Sequence, residues 1–106
     1  MQSQYEEALL KLEEAWSIFV RIGDRLGIAR CLENIGDTLR MQNQHDEARS
    51  KLEEARSIFI DLGSRIGTAH CLQSLSDILR MENRYEEAQS KLEEARLVFI
   101  EIGARL

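Results

Sequence analysis

The chain has 106 residues, 43% of them hydrophobic and 31% charged, with a net charge of −5, six glycines and no proline. That is long enough for one small domain and too apolar for a disordered tail, and 6% aromatics without proline exclude strand-rich, collagen-like and low-complexity chains. A pI near 5.1 leaves no broad positive field for phosphates, so nucleic acid is not an expected partner.

The first predicted helix covers about residues 4–22, because Tyr5, Ala8, Leu12, Ala15, Phe19 and Ile22 recur at steps of three and four on one face. Gly23 can end it in the left-handed conformation, and Asp24 can cap a second helix near 24–42 whose apolar stripe is Ala29, Leu32, Ile35, Gly36 and Leu39. Asn43 suits a turn into a third helix near 45–62. Gly63 and Ser64 then lead to a fourth near 64–82, and Asn83 to a fifth near 85–102, with Gly103 as its expected end. The first, third and fifth are termed B helices, and the second and fourth A helices. The expected fold is all-α, five antiparallel helices in the order B-A-B-A-B.

These elements repeat. KLEEAWSIF from Lys11 returns as KLEEARSIF from Lys51 and as KLEEARLVF from Lys91, while Arg25 to Leu32 reappears as Arg65 to Leu72. A period of about 40 residues belongs to stacked helical arrays, in which no unit hides its core alone. The chain therefore reads as one array, a half repeat at 4–22 and full repeats at 24–62 and 64–102, cut from a longer one. Gly27, Gly36 and Gly67 lie inside A helices, where each costs about 1 kcal/mol relative to alanine, so close approach of helices is predicted there. Ser76 stands in place of Gly36 in the second repeat.

Chemistry is not expected. His45 and His70 fall in different helices, and no triad, zinc spacing or phosphate loop is present, so the reading includes no enzyme, no cofactor and no metal. The pairs Glu13-Glu14, Glu53-Glu54 and Glu93-Glu94 lie off the apolar stripe as a solvated surface, since adjacent helical residues do not converge. Cys31 and Cys71 are equivalent positions in stacked units spaced near 10 Å, beyond the roughly 7 Å a disulfide tolerates, and are read as buried thiols. No run of about 18 apolar residues exists and Met1 to Tyr5 has no secretory character, so the expectation is a cytoplasmic protein without a membrane partner.

The spacing Leu32-x2-Ile35-Gly36-x2-Leu39, then Ala48-x3-Leu52-x2-Ala55, resembles the tetratricopeptide repeat, and Leu72, Leu75, Ser76, Leu79, Ala88, Leu92 and Ala95 repeat it. The period exceeds the usual 34 residues and no proline closes the second helix, which puts about a turn and a half more into the B helix. This longer form is similar to the repeats of kinesin light chains, spindle-orientation adaptors and signalling NTPases. The resemblance implies a right-handed α-solenoid that binds proteins or peptides without chemistry, its A helices lining the concave face.

On the helical wheel Arg30, Glu33, Asn34, Asp37 and Met41 lie opposite the apolar stripe, with Arg40 at its edge, and His70, Gln73, Ser74, Asp77, Arg80 and Met81 take the same places in the second repeat. These twelve residues are the candidate groove. Its acids do not suit capture of a terminal carboxylate, and its mixed charges suit a peptide or helix with basic residues beside apolar ones. The alternative is a ladder of exposed pairs, Asp37 with Arg80 or Asp77 with Arg40, worth little to stability. The ends carry a second expectation. Leu9 and Trp16 replace polar residues of the other B helices, Val20 widens the first stripe, and Leu97 replaces Ser17 and Ser57. Self-association of the isolated chain through these positions, as a homo-oligomer or by exchange of helices at a straightened turn, is the structural alternative.

Overall fold

The computed structural model describes the backbone of residues 2–105 and the side chains of residues 4–103. It is an all-α solenoid of five helices: α1 (Gln2–Ile22), α2 (Arg25–Met41), α3 (His45–Leu62), α4 (Arg65–Met81) and α5 (Tyr85–Arg105). Among the described residues there is no strand.

The turns follow from the residues that form them. Gly23 and Gly63 sit at φ 76° and 74°, and Asn43 and Asn83 both at 62°, the left-handed region that glycine and asparagine tolerate best. The Asp24 carboxylate then accepts from the Gly27 amide at 3.0 Å, and the Ser64 hydroxyl from the Gly67 amide at 3.2 Å, each satisfying an orphan donor of the next helix. Gly103 departs from the expectation: α5 runs through it to Arg105. At Gly23 and Gly63 the left-handed residue is coupled to a reversal, Asp24 N donating to Phe19 O and Ser64 N to Phe59 O, whereas at Gly103 the helical ladder continues. Ile22, placed on the buried face by its spacing, is also exposed, as is its counterpart Leu62.

Helix stacking is written into three glycines. A Cβ on Gly27 would stand 2.4 Å from Phe19 Cδ1, one on Gly67 2.4 Å from Phe59 Cδ1, and one on Gly36 2.7 Å from Leu52 Cγ. Each A helix thus receives the phenylalanine of the preceding B helix in a glycine notch, and α2 receives Leu52 of the following one. The free energy lost by placing glycine in a helix is returned as close packing of apolar side chains. Ser76, at the place of Gly36, is buried and donates its hydroxyl to Ala88 O at 2.9 Å, so the small polar residue is satisfied in the α4–α5 contact.

The core is shared between units. Ile35 and Leu39 of α2, Ala48 and Leu52 of α3, and Leu75 and Ile78 of α4 form one cluster; Ala29, Leu32, Ala55, Phe59 and Cys71 form the next. Cys31 and Cys71 are buried free thiols. Burial pushes the Cys71 thiol up to about 12, with Glu33 and Asp37 adding to the rise, so this sulfur is a packing group at neutral pH.

Candidate functional site

The A helices lie closer together than the B helices. Backbones of α2 and α4 meet, whereas α1 and α3, or α3 and α5, do not. The array therefore curves with α2 and α4 on its inner side, and the residues they show there constitute the candidate site.

Of the twelve groove positions, Arg30, Asn34, Met41, His70, Gln73, Arg80 and Met81 are exposed, and Glu33, Asp37, Arg40 and Asp77 are half-buried. Ser74 is buried and donates to Asp37 Oδ1 at 2.7 Å across the α2–α4 seam. Arg40 sits between two acids, its Nε 3.7 Å from Asp37 and its Nη1 3.8 Å from Asp77. Of the two possible ladders, the structure forms Arg40 with Asp77, while Arg80 turns to Asp77 of its own helix at 3.3 Å. Asp37, Arg40, Ser74 and Asp77 thus form a polar seam joining the units. Arg30, Glu33, Asn34, His70 and Gln73 form the more open half of the ridge. The His70 ring also meets Phe99 of α5 edge-on, centroids 5.5 Å apart, which anchors that side chain at the rim.

The open half carries both signs of charge, with Glu33 near Arg30 and His70. Burial holds the Glu33 carboxyl above its ordinary range; the nearby Asp37 charge adds to the rise, and His70 and Arg30 oppose it. A raised carboxyl is a folding penalty present when the group is ionised, and the penalty vanishes as pH falls below the unfolded carboxylate range. Glu33→Gln is therefore expected to raise the thermal midpoint at about pH 7 by a few degrees at most, the gain disappearing towards about pH 3 in melts followed by circular dichroism.

The positions expected at a self-association surface are divided. Leu9 is half-buried and packs on the cluster of Ile35, Leu52 and Leu75, while Trp16, Val20 and Leu97 are exposed. Trp16 flanks a cavity of about 230 Å³ between α1, α2 and α3, lined also by Glu13, Leu32, Ile35 and Lys51. Sequence reasoning passed over Leu10 and Ile18, which are 62% and 53% exposed and, with the misplaced Ile22 at 66%, extend the apolar surface of α1. It also passed over the ion pairs between helices: Arg25 with Asp61 and Arg65 with Glu101, whose signal was only a charge at matching places in each repeat, and Arg49 with Glu82, which has no charged counterparts in the other repeats.

Among the described residues no three His, Cys, Asp or Glu side chains converge to hold a metal ion, and no helix is long and apolar enough to cross a membrane. Comparison with family profiles matches residues 1–61 to the tetratricopeptide repeat. A search of curated proteins finds no match.

Proposed function

Since the chain belongs to the tetratricopeptide repeat family, whose units are non-catalytic modules of protein–protein interaction, we propose that its inner A-helix face captures a peptide or helix bearing basic and apolar residues. The repeat extends beyond the matched residues, as α4 and α5 copy α2 and α3. The 40-residue period supports the long-repeat variety of the family, and the chain is read as part of a cytoplasmic scaffold.

The observation that carries this reading is the pair of neighbouring carboxyls on a ridge of otherwise mixed charge, where Glu33 is held up by burial and by repulsion from Asp37. A cation seated there relieves that repulsion, and exposed Met41 and Met81 offer adaptable apolar contact at one end of the ridge. Selection from a displayed random-peptide library tests it. The wild-type chain is expected to enrich Lys or Arg beside apolar residues, and a Glu33→Lys chain to lose that enrichment. Identical pools from the two chains would contradict the proposal.

A second reading rests on α1, which exposes Leu10, Ile18, Val20 and Ile22 with Trp16 alongside, more apolar surface than a lone outer helix keeps without cover. On this reading the chain pairs with its own kind through α1, by surface contact or by exchange of helices. Sedimentation over a wide concentration range is expected to show assembly, and Trp16→Arg, the residue at Arg56 and Arg96, to shift it to monomer. A monomer at every concentration removes this reading.

A further inference from the structure

Each B helix carries a glutamate followed, three residues later, by a longer side chain. In α3 these are Glu53 and Arg56, 3.6 Å apart, and in α5 Glu93 and Arg96, 3.5 Å apart. Arg56 also reaches Glu94 of α5 at 4.0 Å, so between α3 and α5 a guanidinium lies between two carboxylates, with its side chain 24% exposed. α1 keeps the acid and drops the cation. Glu13 is followed by Trp16, and Glu54 of α3 stands where Glu94 stands one unit later. Among the described residues neither Glu13 nor Glu54 has an ion-pair partner.

At this same place the first groove holds its cavity. Leu32 and Ile35, 2% and 5% exposed, supply its apolar lining, and Trp16, Glu13, Ser17 and Lys51 line the rest. It lies between successive units, inside the array. Its volume of about 230 Å³ exceeds the roughly 150 Å³ that holds a benzene ring, so a planar guanidinium on a short alkyl chain fits. The other arginine exchanged in this groove, Arg49 for Leu9, leaves an apolar side chain that packs onto the cluster of Ile35 and Leu52. Trp16 remains 36% exposed beside open space. Lys51 does not exclude a cation, since its counterpart Lys91 lines a cavity together with Arg49 and Arg84.

We infer that the cavity between α1, α2 and α3 binds an alkylguanidinium, its flat cation stacked on the Trp16 indole and paired with Glu13, its alkyl chain against Leu32 and Ile35. The visitor does from outside what Arg56 does from within the chain one unit later. A guanidinium suits the site better than an ammonium because it is planar, weakly hydrated and stacks on aromatic faces. The group can belong to a free small molecule or to an arginine side chain of a partner protein. The site shares no residue with the inner ridge and does not depend on it.

Trp16 is the single tryptophan of the chain, so its fluorescence reports this site alone. Propylguanidinium titrated at constant ionic strength is expected to change the emission saturably, half-saturating at about 1–10 mM, while free N-acetyltryptophanamide shows no saturation. Butylammonium should bind more weakly and butyrate not at all. Glu13→Gln should weaken propylguanidinium by about threefold or more, and it leaves the apolar surface of α1 intact, which separates this site from self-association through Trp16. Lys51→Ala should not weaken it, and neither should Glu33→Lys on the inner ridge. Trp16→Arg supplies a tethered guanidinium and should abolish the amide shifts that propylguanidinium causes at Leu32 and Ile35. N-acetylargininamide compared with an arginine flanked by leucines in a short capped peptide distinguishes the two sources: equal affinity assigns a free small molecule, tighter peptide binding a partner's side chain. No saturable change up to about 50 mM, a change indifferent to Glu13→Gln, or butyrate binding that depends on Lys51 overturns the inference.

Discussion

Leu52→Ala is expected to cost about 4 kcal/mol of folding stability. Leu52 is 0% exposed and sits in one cluster with Ile35 and Leu39 of α2 and Leu75 and Ile78 of α4, so it ties three helices together. Its Cγ lies against Gly36, which has no side chain to move into the space left behind. The cavity therefore stays open, and both transfer and cavity costs apply. Against the roughly 5–15 kcal/mol that holds a domain together, the variant should be close to unfolded at 37 °C. Leu92→Ala, the same change one repeat later, should cost only about 1 kcal/mol, because Leu92 is 45% exposed. Urea unfolding followed by far-ultraviolet circular dichroism measures both. Equal losses at the two positions would mean that the units do not share a core.

Gly67→Val is expected to cost about 3 kcal/mol, despite the better helix propensity of valine. The added Cβ meets the Phe59 ring at 2.4 Å, and Phe59, 2% exposed and packed with Ala29, Leu32, Ala55 and Cys71, has nowhere to retreat. The helices must separate, and the loss falls on the α3–α4 seam. Gly27→Val carries the same clash with Phe19 but should cost less, since Phe19 is half-buried and α1 can swing outward. Phe59→Leu in the Gly67→Val background should return about 1 kcal/mol, a coupling that chemical denaturation of the four chains in a double-mutant cycle resolves. Additive losses would show that the notch does not join these residues.

Much of this was legible in the sequence because the same residues carry local and tertiary instructions. Gly23, Asn43, Gly63 and Asn83 mark reversals that need a left-handed residue, and Asp24 and Ser64 mark helix starts that need an acceptor. Gly27, Gly36 and Gly67 disagree with helix propensity and thereby announced the close contacts. What one repeat does to another was less visible. Asp37 and Ser74 read as surface residues on a helical wheel, yet they bond to each other at 2.7 Å because α2 and α4 stack. Leu52 and Leu92 have the same neighbours in sequence and opposite exposure, since only the first has a further helix over it. Leu9 was grouped with Trp16 at a self-association surface, but it is half-buried and packs against the core cluster that contains Ile35 and Leu52, a contact that spacing within one helix does not encode. Gly103 carries the same residue type as Gly23 and Gly63 and remains helical, because a left-handed end is an option of glycine and a reversal selects it.

The inner ridge is tested most directly by amide chemical-shift mapping of the full chain titrated with a library-selected basic peptide. Shifts should concentrate on α2 and α4 at Arg30, Glu33, Asn34, His70 and Gln73, and Glu33→Lys should abolish them. Shifts gathered instead on α1, α3 or α5, with α2 and α4 unmoved, would contradict the account.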